Sequence, residues 1–296
     1  MPAGAEAVAR VAATLGEGPA WFDDALWFVD IKAPAVLRFD PASATLNRWR
    51  APDQVGWVLP AEDGSIVAGV KGGLHRFDPA TGGFALLAAV EADRPGNRLN
   101  DATVDAAGRL WFGTMDDAED APSGAIYRAD AGGIARVIDG VCITNGPAVS
   151  ADGRTLYHHD TLAGLVLASD MDAGGAVTGT RVLARIDPRD GYPDGPTLDA
   201  EGCLWIGLFA GGEVRRYAPD GTLLATVPLP AANVTKIAFG GAGLRTAYAT
   251  TARKGLSAAA LAAQPHAGDL FAFDAGVAGM PLPRVSMATL AGFGPA

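Results

Sequence analysis

A repeat narrows the possible folds of this chain more than any other feature. Short strand-like runs, "ALWFVDI", "SIVAGV", "RLWFGTM", "TLYHHD", "CLWIGL" and "TAYATT", recur along its whole length. Their matching positions are Trp27, Val67, Trp111, Tyr157, Trp205 and Tyr248, spaced by about 40 to 48 residues, the length of one β-propeller blade. After each run comes a second strand-like stretch that ends in a tight Asp, Pro or Gly turn, as in "AVLRFDPASA", "GLHRFDPATG" and "EVRRYAPDG". Six such units use nearly all of the 296 residues. The chain is therefore expected to be all-β: one domain over 1–296, a six-bladed β-propeller with four-stranded antiparallel blades around a central channel. The leading segment "AEAVARVAATL" is expected to pair with the last blade and close the ring, although its alanines also suit a helix. A short helix is expected near "LSAAALAAQ".

Composition removes several classes of partner. With 23 basic and 33 acidic residues the formal net charge is −10, which disfavours nucleic acid and anionic membrane surfaces. No apolar run approaches the roughly 18 residues of a membrane span. The start, "MPAGAEAVARVAATLGEG", lacks the basic and apolar regions of a signal peptide, so a cytoplasmic location is expected. A closed ring needs no second copy to bury its edges, which points to a monomer. Cys142 and Cys203 lack metal-ligand or redox spacing and read as two buried thiols.

Repetition also makes positions equivalent. Eight residues before the turn that precedes each Trp/Tyr run stand Glu17, Gly56, Asn100, Asn145, Asp194 and Thr235, expected to ring one mouth of the channel. Four of them carry carboxylate or amide oxygens, and Glu17, Asn145 and Asp194 are each followed by Gly-Pro. That step fixes the backbone behind each oxygen, as a metal site requires. Alone, each is ordinary turn chemistry. Together they suit one divalent cation, Ca²⁺, Mg²⁺ or Mn²⁺, with Zn²⁺ and Fe²⁺ compatible, held by Glu17, Asn145 and Asp194. Asn100 is the fourth polar group, facing either metal or substrate.

At these residues the chain resembles the SMP-30/gluconolactonase/regucalcin family, and the likeness spans almost its whole length. The stretches that carry it are "TLGEGPAWFDDALWFVDIK", "NRLNDATVDAAGRLWFGTMD", "CITNGPAVSADGRTLY", "GYPDGPTLDAEGCLW" and "NVTKIAFGG" with "TTARKGLS". Within the family it looks most like bacterial sugar-acid lactonases of the D-xylonolactonase type. The resemblance implies a metal on Glu17, Asn145 and Asp194, substrate contacts from Arg98 and Asn100, and a general-base role for Asp194. Leu99 stands where many members have Pro or Cys, which would alter the substrate-side loop. Animal members carry a glutamate pair after the "GTM" strand; here "DDAEDAPSG" leaves Asp116, Asp117 and Glu119 as alternatives.

The implied reaction is hydrolysis of an aldonolactone such as xylonolactone, arabinonolactone or gluconolactone to its aldonic acid. The cation would polarise the carbonyl or the attacking water, and Asp194 would take the water's proton. No G-x-S-x-G elbow offers a serine nucleophile. The alternatives are a calcium-binding regulatory propeller without lactone turnover and a lactonase or esterase of broader range. Other candidates read as structural. His158 and His159 are adjacent on a strand and point to opposite faces. Trp27, Trp111 and Trp205 pack the blades, and Trp57 either packs the core or walls the pocket. Lys236 and Asp101 stand next to ring positions, with Lys236 placed to act on the carboxylates. The "FDPATG" turns are solvent-facing hairpins.

Overall fold

Alternating side chains between Gly- and Asp-rich turns fold into short antiparallel strands, and four such strands make each blade. The computed structural model describes residues 4–293, so the outermost residues of the expected 1–296 domain lie outside the described residues. Six four-stranded sheets form the six-bladed β-propeller. The innermost strands are Gly16–Phe22, Val55–Pro60, Asn97–Val104, Thr144–Val149, Tyr192–Leu198 and Asn233–Gly240. Five blades are built from consecutive strands. The sixth takes its outer strand from the start of the chain, where Glu6–Ala9 pairs antiparallel with Leu270–Asp274. The leading segment is thus a strand, not a helix. Hydrogen-bonded closure outweighs alanine's modest helical preference in so short a piece. A helix over Ala258–Ala263, capped by the Ser257 hydroxyl on the Ala260 amide, interrupts the same blade where one was expected.

The repeating tryptophans pack between blades as expected: Trp111 and Trp205 are fully buried, and Trp27 nearly so. Two share one polar anchor. Trp111 donates its indole N–H to Asp105 Oδ2 at 2.8 Å, and Trp205 donates to Asp199 Oδ2 at 2.8 Å. In the first blade Phe22 stands at the place of those aspartates and stacks on Trp27, with ring centroids 5.2 Å apart. Trp27 Nε1 consequently has no partner among the described residues. Trp57 is core, not pocket wall: it is buried, and a Cβ on Gly69 would fall 2.3 Å from its ring. Cys203 is buried, but Cys142, in the short connection between the outer strand of one blade and the next blade, is only half-buried; both thiols are free.

The inner strands share an irregularity that positions the site. Pairing with the second strand slips between Glu17 and Ala20, Leu99 and Ala102, Asn145 and Ala148, Asp194 and Thr197, and Val234 and Ile237. Such a bulge bends the strand and re-aims the side chains beside it. Glycine at the first bulge is a steric necessity. Gly18 has φ +54°, and a Cβ there would lie 2.6 Å from the Gly56 carbonyl oxygen of the next blade. Among the described residues no helix is long and apolar enough to cross a membrane.

Candidate active site

The starts of four inner strands deliver Glu17, Arg98, Asn100, Asn145 and Asp194 to the wall of one cavity of about 240 Å³ at one mouth of the channel. Every sequence-predicted site residue is therefore in one place. Two ring positions take no part. Gly56 has no side chain, and Thr235 turns its hydroxyl into the scaffold, donating to the Gly16 carbonyl at 2.7 Å. Leu15, Met115, Ile143, Leu162, Tyr192 and Phe209 supply the apolar wall. A cavity this small fits a molecule of monosaccharide size rather than a drug-sized ligand.

Hydrogen bonds fix how the polar groups face. Glu17 Oε2 accepts from the Gly18 amide at 2.9 Å, and Asp194 Oδ1 accepts from the Gly195 amide at 2.9 Å. Among the described residues Glu17 Oε1 and Asp194 Oδ2 receive no donor. The amide of Asn145 is oriented by a directional chain. Its Nδ2 donates to Thr161 Oγ1 at 2.9 Å, and that hydroxyl donates onward to the Pro193 carbonyl at 3.0 Å. The Asn145 oxygen is thereby held on the side facing Asn100, whose Nδ2 donates to it at 2.9 Å and to the Thr144 carbonyl at 2.7 Å. Arg98 Nη1 donates to Asn100 Oδ1 at 2.6 Å, closing a chain that runs from the arginine to the acidic end of the pocket.

Electrostatics distinguish the two ends. Burial, with Asp194 and Asp101 nearby, pushes the Glu17 carboxyl well above the usual carboxylate range. Burial, with Asp101 adding to it, raises Asp194 to about 7. Lys236 opposes both shifts, but its Nζ is bonded to Asp101 Oδ1 at 2.6 Å in a buried ion pair. Its stem explains the third glycine of the Gly-Pro series, since a Cβ on Gly195 would lie 2.4 Å from the lysine's own Cβ. Two buried carboxylates and an amide oxygen facing one cavity are hard donors suited to a divalent cation, and a cation among them would relieve their repulsion. Among the described residues no three His, Cys, Asp or Glu side chains gather to hold a metal. A cation here would need the Asn145 oxygen as its third protein donor.

At the other end of the pocket Arg98 is almost fully buried, and burial lowers its pKa against the pull of Asp117 and Glu17. Asp117 Oδ1 accepts Arg98 Nε at 3.0 Å and Lys32 Nζ at 2.5 Å, and its Oδ2 accepts Gln54 Nε2 at 2.9 Å. Burial works against ionisation, yet these donors from two other blades hold Asp117 at about 2. Arg98 Nη2 is left without a protein acceptor among the described residues. The three acidic alternatives thus separate. Asp116 caps its own loop through the Asp120 and Ala121 amides, Asp117 stands behind Arg98, and Glu119 lines the pocket. Leu99 is buried in the core and absent from the pocket wall, and its carbonyl accepts Arg98 Nη1 at 3.2 Å.

Sequence reasoning missed Thr161 and Lys254, which line the pocket together with Glu119, the one of the three acidic alternatives that does. Thr161 directly follows the "HHD" run, whose histidines carry the more conspicuous metal-ligand chemistry. Both histidines are buried and neither lines the pocket. His158 bonds Ser169 Oγ at 2.9 Å, and His159 finds no partner for either ring nitrogen among the described residues.

A six-bladed propeller with a buried acidic and amide pocket at one mouth, walled by an arginine, defines the class. The chain belongs to the SMP-30/gluconolactonase/LRE-like family, whose model matches residues 15–253. It is 35% identical to the 6-deoxy-6-sulfogluconolactonase of Pseudomonas putida, over 92% of this chain and 95% of that protein. It is also 35% identical to the L-arabinolactonase of Azospirillum brasilense, over 96% of each. The solved structure of a calcium-binding protein, regucalcin, from Agrobacterium tumefaciens superposes with a TM-score of 0.90 at 30% identity, over 96% of this chain and 97% of that one.

Proposed function

We propose that this protein hydrolyses a small sugar-acid lactone, an aldonolactone of the xylono-, arabinono- or gluconolactone kind, with one divalent cation held by Glu17, Asn145 and Asp194. The observation that carries the reading is the convergence of those three oxygen donors with Arg98 and Asn100 in one cavity of about 240 Å³. Relatives named for lactonase activity along nearly the full chain support the reaction class.

When bound, the cation supplies Lewis-acid stabilisation of charge that develops on the lactone carbonyl or on the attacking water. The chain's own groups supply the rest. Arg98 offers Nη2 to a ring hydroxyl or the carbonyl and fixes the lactone's orientation. Asn100 keeps Arg98 and Asn145 in register with each other. Asp194 accepts the proton of the water that adds to the carbonyl carbon. The carbon–ring-oxygen bond then breaks, and that proton returns to the departing oxygen, giving the open hydroxy acid. The apolar wall of Met115, Ile143 and Phe209 limits access of bulk water.

A panel of lactones assayed with chelated and metal-restored protein tests the reading. Hydrolysis lost on chelation and regained with one of Ca²⁺, Zn²⁺, Mn²⁺, Mg²⁺ or Fe²⁺ is expected, and the panel identifies the preferred metal and lactone. Tight calcium binding with no lactone turned over under any metal would favour a calcium-binding regulator, the reading suggested by the regucalcin likeness. Faster turnover of simple esters than of sugar lactones would favour the broader esterase.

A further inference from the structure

The mechanism leaves one charged pair of the pocket unused. Lys254, just past the second strand of the sixth blade, extends its ammonium to Glu119, on the loop after the second strand of the third blade. Both line the pocket, so the pair bridges two blades at its rim. Their backbones are pinned. The Lys254 amide donates to the Thr14 carbonyl at 2.9 Å, and its own carbonyl accepts Asn233 Nδ2 at 2.9 Å. Glu119 sits at φ +64°, rare for a residue with a side chain, and its amide bonds the Asp116 carbonyl at 3.1 Å. The side chains are freer, each about one-third exposed (32% and 33%). Glu119 also stands close enough to Arg98 to stabilise the guanidinium charge.

From this juxtaposition we infer that Glu119 and Lys254 are the specificity-determining pair of the pocket, reading the charge at the end of the lactone that lies nearest the rim. The inference rests on the proposed lactonase reading. As a closed pair they present a balanced rim, which suits a lactone ending in hydroxyls. An anionic group there, a phosphate or sulfonate, could reach Lys254 only by displacing Glu119 and would then face its carboxylate. Without the Glu119 charge, Lys254 loses its counter-ion and stands as a free cation on the same pocket as Arg98, which keeps Asp117 behind it, the arrangement that anion recognition uses. Discrimination of this kind, by a like charge placed against the wrong ligand, is how many sites reject analogues.

The test compares gluconolactone with its 6-phosphate ester in wild type, Glu119→Gln, Lys254→Met and the double variant. Titration calorimetry of gluconate and 6-phosphogluconate accompanies the kinetics. Wild type is expected to prefer the neutral lactone. Glu119→Gln should shift the kcat/KM ratio toward the phosphorylated lactone by at least about tenfold, and adding Lys254→Met should abolish the shift. Ratios unmoved by both substitutions, or a wild type that favours the phosphorylated lactone, would overturn the inference. Failure of every variant to hydrolyse either lactone would instead sink the lactonase reading. The calorimetric arm then decides the rim pair alone: tighter 6-phosphogluconate binding by Glu119→Gln supports it, and unchanged binding refutes it.

Discussion

Asn100 Nδ2 donates to Asn145 Oδ1 at 2.9 Å, tying the proposed substrate contact of one blade to the proposed metal ligand of the next. Because Arg98 bonds the oxygen of the same amide at 2.6 Å, Asn100 uses every hydrogen-bonding atom it has to hold other groups in place. Asn100→Leu, similar in size but without donors, should therefore weaken both ends of the pocket. Cation affinity and kcat/KM are each expected to fall by about 10- to 100-fold, the usual effect of removing an outer-shell partner. Calorimetric metal titration and lactone kinetics check the two effects separately. An Asn100 that served substrate alone would leave the cation affinity unmoved.

Thr161→Val removes the hydroxyl that orients the Asn145 amide while keeping the side chain's shape. Metal affinity is expected to drop by about tenfold or more, with Thr161→Ser restoring most of it. Equal affinities for Val and Ser would mean that the Thr161 bond does not orient the ligand.

Asp117→Asn takes the charge partner from Arg98 and Lys32 but leaves both donors something to bond. The expected result is a rise in KM of about tenfold, since a hydrogen bond to a charged group contributes about 1.5–3 kcal/mol and an amide replaces only part of it. Metal affinity should stay within about twofold, because Asp117 lies behind the arginine rather than at the acidic end. A fall in metal affinity matching the rise in KM would refute that separation.

Much of this site was legible in the chain because a propeller turns repetition into proximity. Once the period fixed the blades, Glu17, Asn145 and Asp194 had to meet at one mouth. The Gly-Pro steps followed from the same geometry, with Gly18 closing on the Gly56 carbonyl and Gly195 on the Lys236 side chain. What escaped was whatever lies outside the repeat. Thr161, Lys254 and Glu119 all lie on the connection after a second strand, which differs in length from blade to blade, so no ring position marked Thr161 or Lys254, and Glu119 stood only as one of three alternatives. Trp57 was ambiguous for a related reason. Its neighbour Gly56 is a ring position, yet the tryptophan itself packs into the core over Gly69.

Gly18→Ala should destabilise the fold by about 1–3 kcal/mol from the backbone conformation alone, with the contact to Gly56 adding to it. Thermal unfolding followed by circular dichroism is the readout. A melting temperature equal to wild type would show that the inner strands do not pack as closely as described.

The buried histidines make stability depend on pH in a definite direction. Burial depresses His158 to about 4, against an ordinary value of 6.5. Between those values the unfolded chain binds a proton that the folded chain refuses. The histidine's contribution is thus fully present above about pH 6.5 and lost as pH falls toward 4, by up to about 1.4 kcal/mol per unit. Glu17 and Asp194, raised in the fold, act in the opposite sense, so the comparison must be made between variants. Relative to wild type, His158→Gln should lose less stability between pH 6.5 and 4.5 in urea denaturation. Parallel pH profiles would contradict the buried neutral state.

The most direct measurement is anomalous diffraction from crystals of the protein grown with Mn²⁺. One strong peak within bonding distance of carboxylate oxygens from Glu17 and Asp194 and the Asn145 amide oxygen is the predicted result, and it should vanish in Asp194→Asn crystals treated alike. A peak elsewhere with none in this pocket, or one that persists undiminished in the variant, would contradict the account.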